Sequence, residues 1–138
     1  MEKELMFPLP RNKETTTTIV NVTKESWEEI LTKNELALFY FWAEWAEPCR
    51  TFSPIFTNGS ERHPDVVFAK IDIEKEFEIT TCYQIQSLPT VIAFRQEIML
   101  LQHTGGLQDE QIDELIEKMK AVNMNDVRRK LAEALLQE

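Results

Sequence analysis

Two cysteines, Cys49 and Cys82, are the side chains of this sequence best suited to covalent chemistry. Cys49 follows Pro48 at the expected start of a helix, and Cys82 lies near an expected helix end. Two cysteines make no disulfide framework, and the sequence does not tell whether their Cα atoms come close enough to pair. Cys49 is either a small buried hydrophobic residue or a thiol that forms mixed disulfides. Cys82 is either a bystander or a regulatory thiol.

The sequence offers little other chemistry. His63 and His103 have no second ligand at metal spacing, so we interpret them as surface or loop residues and predict no metal site. There is no glycine-rich phosphate loop and no Ser/His/Asp grouping. We therefore expect no cofactor.

Length and charge narrow the class of protein. The chain has 138 residues, enough for one domain, and 43% of them are hydrophobic. Its 15 basic and 24 acidic residues give a net charge of −9, which disfavours nucleic-acid and membrane-surface binding. The start of the chain is acidic and lacks an apolar run of signal-peptide length. With only two cysteines, this predicts a cytoplasmic protein.

Apolar patterning predicts alternating strands and helices that position these residues. Strands are expected at 18–22, 36–42, 66–71, 90–94 and 98–102, the second being apolar enough for burial on both faces. Helices are expected at 24–33 (capped by Thr23), from Pro48 to Asn58-Gly59 with Pro54 inside, at 74–83, and around 112–119. This order predicts a mixed sheet with helices on both faces.

The chain divides into three parts. Residues 1–17 are expected to form a flexible arm, residues 18–122 the domain, and residues 123–138 an amphipathic helix after a break at 123–125. Val127, Leu131 and Leu135 form the apolar stripe of the helix. The stripe either folds back onto the domain or binds a partner helix through residues 126–138.

The segment Phe41-Trp42-Ala43-Glu44-Trp45-Ala46-Glu47-Pro48-Cys49 resembles the active-site segment of the thioredoxin family, which reads F-W-A-x-W-C-G-P-C there. Ser87-Leu88-Pro89-Thr90 is similar to the family's loop with a cis proline. Lys70, Pro54 and Gly105 match further family positions in order and spacing. The resemblance covers about residues 18–121. It implies the α/β thioredoxin fold, a mixed five-stranded sheet flanked by four helices, here with an extra C-terminal helix.

Two departures from the family pattern affect the chemistry. The family's nucleophilic cysteine falls on Ala46, and its buried aspartate falls on Tyr40. By resemblance Cys49 is the resolving cysteine, and disulfide exchange needs both sulfurs. A phenol is a weak base at pH 7. We therefore expect the family's thiol–disulfide oxidoreductase activity, which serves cell redox homeostasis, to be lost or strongly reduced.

The resemblance also implies a substrate groove and the positions around it. Its catalytic positions are Cys49, Ala46, Tyr40 and Lys70, and its groove positions are Trp45, Glu47, Pro48, Leu88, Pro89 and Gly105. An exposed tryptophan beside an apolar proline loop is typical of a partner-binding surface. The backbone at Leu88 is expected to pair with an extended peptide. Lys70 lacks the family's aspartate, so we expect it to pair with another acid or to be solvated.

These observations allow three functions. The first is a redox-inactive protein that binds partner or unfolded proteins in the groove, similar to the thioredoxin domain of chaperone-type chaperedoxins. The second is a protein-disulfide reductase whose first active-site cysteine was replaced, with a parent motif Trp-Cys-Glu-Pro-Cys. The third is an assembly subunit that acts through the C-terminal helix.

Overall fold

One mixed sheet forms the centre of the computed structural model, which describes residues 19–136. Within that range its strands are β1 (Ile19–Asn21), β2 (Leu36–Trp42), β3 (Val67–Asp72), β4 (Thr90–Arg95) and β5 (Ile98–Thr104). Their order is β1-β3-β2-β4-β5; β1, β3 and β2 are parallel, β4 is antiparallel to β2, and β5 is antiparallel to β4. The predicted arm at residues 1–17 lies outside the described residues.

Strand β2 is buried on both faces, as its apolar sequence predicts, because helices cover each side of the sheet. Alternate β2 residues point to opposite faces, so Leu38 and Tyr40 belong to one core and Phe39 and Phe41 to the other. Helices α2 (Glu47–Arg62) and α4 (Asp109–Ala121) cover the first face. Helices α1 (Trp27–Lys33) and α3 (Phe77–Cys82) cover the second. The predicted fold class is confirmed.

Predicted boundaries of three helices are wrong. The helix expected at 74–83 spans only Phe77–Cys82. Helix α2 continues through Asn58 and Gly59 to Arg62, because Gly59 lies where the helix approaches the sheet closely. A Cβ at Gly59 would lie 3.1 Å from the Phe68 ring, so this glycine allows close packing and does not end the helix. Thr23 does not cap α1; its carbonyl accepts the Ser26 and Trp27 N–H groups in a turn before the helix.

A C-terminal helix, α5 (Met124–Leu136), follows α4 after a break at Val122 and Asn123, one residue earlier than predicted. Arg95 fixes this junction, because its Nη1 donates to three carbonyl oxygens at 2.8–3.0 Å. These belong to Met119, Lys120 and Val122. The side chain of Arg128 bonds Gln96 in the β4–β5 turn.

The apolar stripe of α5 is largely open. Val127 is half-buried, but Leu131 is 47% and Leu135 is 71% exposed. Folding of the whole stripe onto the domain is therefore wrong, because within residues 19–136 nothing covers its second half. Binding to a partner helix stays a prediction. Within the described range, each helix is too short or too polar to span a bilayer.

The β4–β5 turn consists of two residues without a glycine. Gln96 has φ of 53° and Glu97 has φ of 70°, the left-handed backbone that a two-residue hairpin of this twist requires. Residues with a Cβ adopt this conformation at a cost of about 1–2 kcal/mol each. The exposed Glu97 side chain makes no hydrogen bond or ion pair within residues 19–136 that offsets this cost.

Replacing Glu97 with glycine should stabilise the protein. We expect Glu97→Gly to raise the free energy of unfolding by about 0.5–1 kcal/mol. Glycine relieves the strain of the left-handed backbone, and this gain is partly offset because glycine has more conformational freedom in the unfolded chain. Urea denaturation measures the change. Glu117→Gly, in the exposed middle of α4, is the matched control and should destabilise by about 1 kcal/mol. Destabilisation by both variants would contradict the assignment of strain to the turn.

Candidate functional site

Ala46 occupies the N-cap position of α2, at the end of the loop that follows β2. Its backbone is extended, with φ of −85°, and its methyl group caps no N–H. Pro48 lies in the first helical turn, where a missing N–H costs nothing. Cys49 comes one residue later; its N–H donates to the Ala46 carbonyl at 3.1 Å and its side chain is 2% exposed. The start of α2 therefore has the expected form, but it carries a single thiol, that of Cys49, and this thiol is buried.

Tyr40 fills the space beneath this helix start. The residue is fully buried, and its ring contacts those of Phe52 and Phe56 at centroid distances of 4.9 and 5.0 Å. Its hydroxyl donates to the Cys49 carbonyl at 3.0 Å and lies 2.9 Å from Ser53 Oγ. Since a phenol has one hydrogen, the Ser53 hydroxyl is then the donor to Tyr40. Burial raises the pKa of Tyr40 well above its usual value, so the phenol holds its proton.

Lys70 lies beside Tyr40 on β3, in register with it. Its Nζ is 4.4 Å from the Trp42 ring centroid and 5.9 Å from that of Tyr40. No carboxylate of residues 19–136 comes within 4 Å of it, so the expected acid partner is not found there; aromatic faces take that place. Partial burial lowers the pKa of Lys70, against the opposing effect of Cys49 and Asp72.

The second thiol lies across the sheet from the first. Cys82 is exposed at the end of α3, in a small depression that also contains Trp27 and Ile79. Ile79 and Trp27 pack on the core that contains Phe39, whereas Cys49 belongs to the core that contains Tyr40. Cys49 and Cys82 are both free. Because the sheet separates Cys49 from Cys82, the two thiols cannot form a disulfide with each other within this fold.

A cleft of about 500 Å³ opens beside Ala46. It contains five of the predicted groove and catalytic positions, namely Trp45, Ala46, Glu47, Pro48 and Leu88. It also contains Ser87 of the predicted proline loop and three residues that were not predicted, Ile73, Ile85 and Gln86. Ile73 directly follows a strand that ends at this edge, so its position could have indicated it. Ile85 and Gln86 directly precede the proline loop and could have been found from the predicted role of Leu88.

Trp45 forms the outer wall of the cleft. Its side chain is 63% exposed, as predicted, and its indole Nε1 donates to Glu74 Oε2 at 3.1 Å. This contact links the ring to Glu74 beside the cleft. An exposed indole next to aliphatic side chains is the type of feature that dominates binding energy at protein interfaces.

Pro89 and Gly105 lie next to the cleft and do not line it. The Leu88–Pro89 peptide bond is cis, as predicted. The Gly105 N–H donates to the Pro89 carbonyl at 2.8 Å, and Gly105 has φ of +102°, which glycine adopts without strain. Within residues 19–136, the backbone N–H and carbonyl of Leu88 have no hydrogen-bond partner. Leu88 therefore presents free backbone groups at the cleft.

The histidines lie away from the cleft. His63 is the residue after α2, outside the helix as predicted, and its Nε2 is 2.6 Å from Asp113 Oδ1 on α4. His103 lies in strand β5 rather than in a loop. Over residues 19–136 there is no group of three or more His, Cys, Asp or Glu side chains that could hold a metal ion.

The sheet order, the helix that starts at Ala46 and the cis-proline loop together define a domain of the thioredoxin fold. The family model described as Thioredoxin matches residues 18–118, and this chain belongs to the thioredoxin family.

Three proteins illustrate this similarity. A Streptomyces coelicolor protein provisionally named thioredoxin 2 is 34% identical over 117 residues, which are 85% of this chain and 87% of that protein. Thioredoxin H3 of Arabidopsis thaliana is 34% identical, with 72% and 87% covered. The solved structure of Plasmodium falciparum thioredoxin superposes with a TM-score of 0.67 at 30% identity and covers 72% of this chain and 97% of that one.

The Tyr40 hydroxyl should stabilise the start of α2. We expect Tyr40→Phe to lower the free energy of unfolding by about 1–2 kcal/mol, because the Cys49 carbonyl and Ser53 lose a buried partner. Urea denaturation measures this. Tyr83→Phe is the matched control; its half-buried hydroxyl bonds no other described residue, and the change should stay within about 0.5 kcal/mol. Equal effects of the two variants would contradict the structural role of the Tyr40 hydroxyl.

Proposed function

We propose that this protein binds partner or unfolded proteins in the cleft beside Ala46 and does not turn over disulfides. The observation that carries the proposal is the alanine at the N-cap of α2, above a single buried thiol. Its relatives are named thioredoxins, so the groove is inherited from a family of disulfide reductases. What differs here is the chemistry that the groove can perform.

The loss of turnover follows from the two steps of disulfide exchange. An outer thiolate attacks the substrate disulfide and forms a mixed disulfide, which a second thiol then cleaves to release the reduced substrate. Ala46 supplies no sulfur for the first step. Cys49 could only act alone, and Cys82, on the other face of the sheet, cannot complete the cycle.

The change at Tyr40 affects the same reaction. The second step requires that a proton leave the inner thiol, and a nearby base speeds such a transfer. Tyr40 keeps its proton and uses its hydroxyl to hold the Cys49 carbonyl. The roles of Ala46 and Tyr40 together support a domain in which two parts of the exchange machinery have been replaced, rather than a reductase that lacks only its first cysteine.

The binding half of the proposal rests on three features of the cleft. Trp45 offers a large exposed ring, and Ile73, Ile85 and Leu88 line an aliphatic floor. The unpaired backbone groups of Leu88 suit an extended peptide, which would pair with them as an added strand. Helix α5 contributes no residue to the lining, so it does not cover the cleft.

Restoring the outer thiol should separate this proposal from a simple loss of one cysteine. The unaltered protein should reduce insulin, with dithiothreitol as the reductant, no faster than buffer. We expect Ala46→Cys to give slow turnover, because two thiols are then three residues apart, and Ala46→Cys with Tyr40→Asp to be about 10²-fold faster through proton transfer.

The alternative, a reductase that lacks only its first cysteine, is supported if Ala46→Cys alone reaches the rate of the double variant. Ala46→Cys with Cys49→Ala is the control and should not turn over. Circular dichroism checks that Tyr40→Asp, which places a carboxyl in a fully buried position, leaves the fold intact. Turnover by the unaltered protein well above buffer would overturn the proposal regardless of the variants.

Binding should depend on Trp45. With reduced, carbamidomethylated lysozyme as the unfolded probe, we expect Trp45→Ala to raise the dissociation constant at least about tenfold, since a central aromatic is lost. Phe77→Ala is the matched control, because Phe77 is 71% exposed but lies outside the cleft. Titration calorimetry measures both. Equal losses in the two variants would argue for general surface adhesion instead of a groove.

A further inference from the structure

We infer that the cleft selects extended segments with an aliphatic residue at the centre and lysine or arginine at the flanks; this inference rests on the proposed function. It follows from the carboxylates around the cleft. Glu47 lines the cleft, Glu44 immediately precedes Trp45, and Glu74 accepts the Trp45 indole N–H. We call these three residues the acidic rim. All three are exposed, whereas the floor between them is aliphatic.

The acidic rim is not neutralised by the described part of the chain. Between residues 19 and 136, no basic nitrogen lies within 4 Å of a rim carboxylate. The nearest cations in sequence are Arg50 and Lys75. Arg50 donates to the backbone carbonyl of Glu44 at 3.4 Å and makes no ion pair there with its carboxylate.

Several acidic side chains elsewhere are paired. Glu29, Glu35, Asp65 and Asp113 each lie within 4 Å of a basic side chain, at 2.5–3.0 Å. The rim carboxylates have no such partner within residues 19–136, and they border the apolar cleft. Charges arranged around an apolar cleft favour a ligand of the opposite sign and repel one of the same sign. A net charge of −9 adds long-range attraction for the same ligands.

The shape of the floor indicates the rest of the ligand. The aliphatic side chains of Ile73, Ile85 and Leu88 provide contacts for one apolar residue, and the free backbone groups of Leu88 pair with an extended chain. Successive side chains of an extended peptide point to opposite sides. One residue can therefore enter the cleft while the flanking residues reach the acidic rim.

The test compares two labelled peptides that share the centre Ser-Val-Leu-Ser and carry two lysines or two glutamates at each end. Fluorescence anisotropy measures their dissociation constants for the full chain. We expect the lysine peptide to bind at least about tenfold more tightly, with the difference shrinking as salt rises from about 50 to about 500 mM.

Two charge variants locate the preference. Glu47→Gln with Glu74→Gln should weaken binding of the lysine peptide about three- to tenfold. Glu110→Gln with Glu117→Gln removes the same net charge from exposed positions of α4 that make no ion pair within residues 19–136. Helix α4 pairs with Arg62, about 24 Å along α2 from Ala46, so this control should leave binding unchanged.

The outcomes distinguish this inference from the proposed function. If both peptides bind equally and Trp45→Ala abolishes both, the groove binds peptides and the preference for basic segments is wrong. If both double variants weaken binding equally, net charge rather than the rim is responsible, and the inference is again wrong. If neither peptide nor carbamidomethylated lysozyme binds, the proposed function itself fails.

Discussion

Burial of strand β2 on both faces is the constraint on which the rest of this structure depends. Every residue from Leu36 to Phe41 is at most 6% exposed, so each face of the sheet needs its own layer of helices. One layer contains α2 with Cys49, and the other contains α3 with Cys82. The same apolar strand that holds the domain together thus keeps the two thiols apart. Any disulfide chemistry of this chain is limited by that separation.

Tyr40 and Lys70 have structural roles beneath the start of α2. A carboxyl at position 40 would have to be desolvated, which costs stability. Tyr40 instead packs against Phe52 and Phe56 and directs its hydroxyl to the first turn of α2. Lys70, without an aspartate, lies over aromatic faces. The helix start that presents the cleft is thereby held in place without any group that must ionise.

Much of this fold follows from the sequence, and the exceptions have physical causes. The bounds of β2 agree with the prediction because an apolar run between polar residues has no alternative placement. The continuation of α2 past Gly59 could not be predicted, because it depends on how closely Phe68 approaches from another strand. The open stripe of α5 has the same amphipathic pattern as a buried one, and only the surroundings of Leu131 and Leu135 distinguish the two.

The site was predictable to a similar degree. The motif around Cys49 and the loop at Pro89 indicated the cleft, since their spacing matches a known arrangement. The aromatic contacts of Lys70 and the unpaired state of the acidic rim depend on side-chain positions that no local pattern encodes. Of the three rim residues, Glu47 alone was predicted as a groove position, through its place in the motif.

The separation of the two thiols can be measured directly by intact mass. The folded protein is equilibrated with oxidised dithiothreitol and then alkylated in denaturant, which exposes the buried Cys49. We expect two alkylated cysteines per chain and no internal disulfide. A species without label and about two mass units lighter would show that Cys49 and Cys82 come within bonding distance, which would contradict their separation by the sheet.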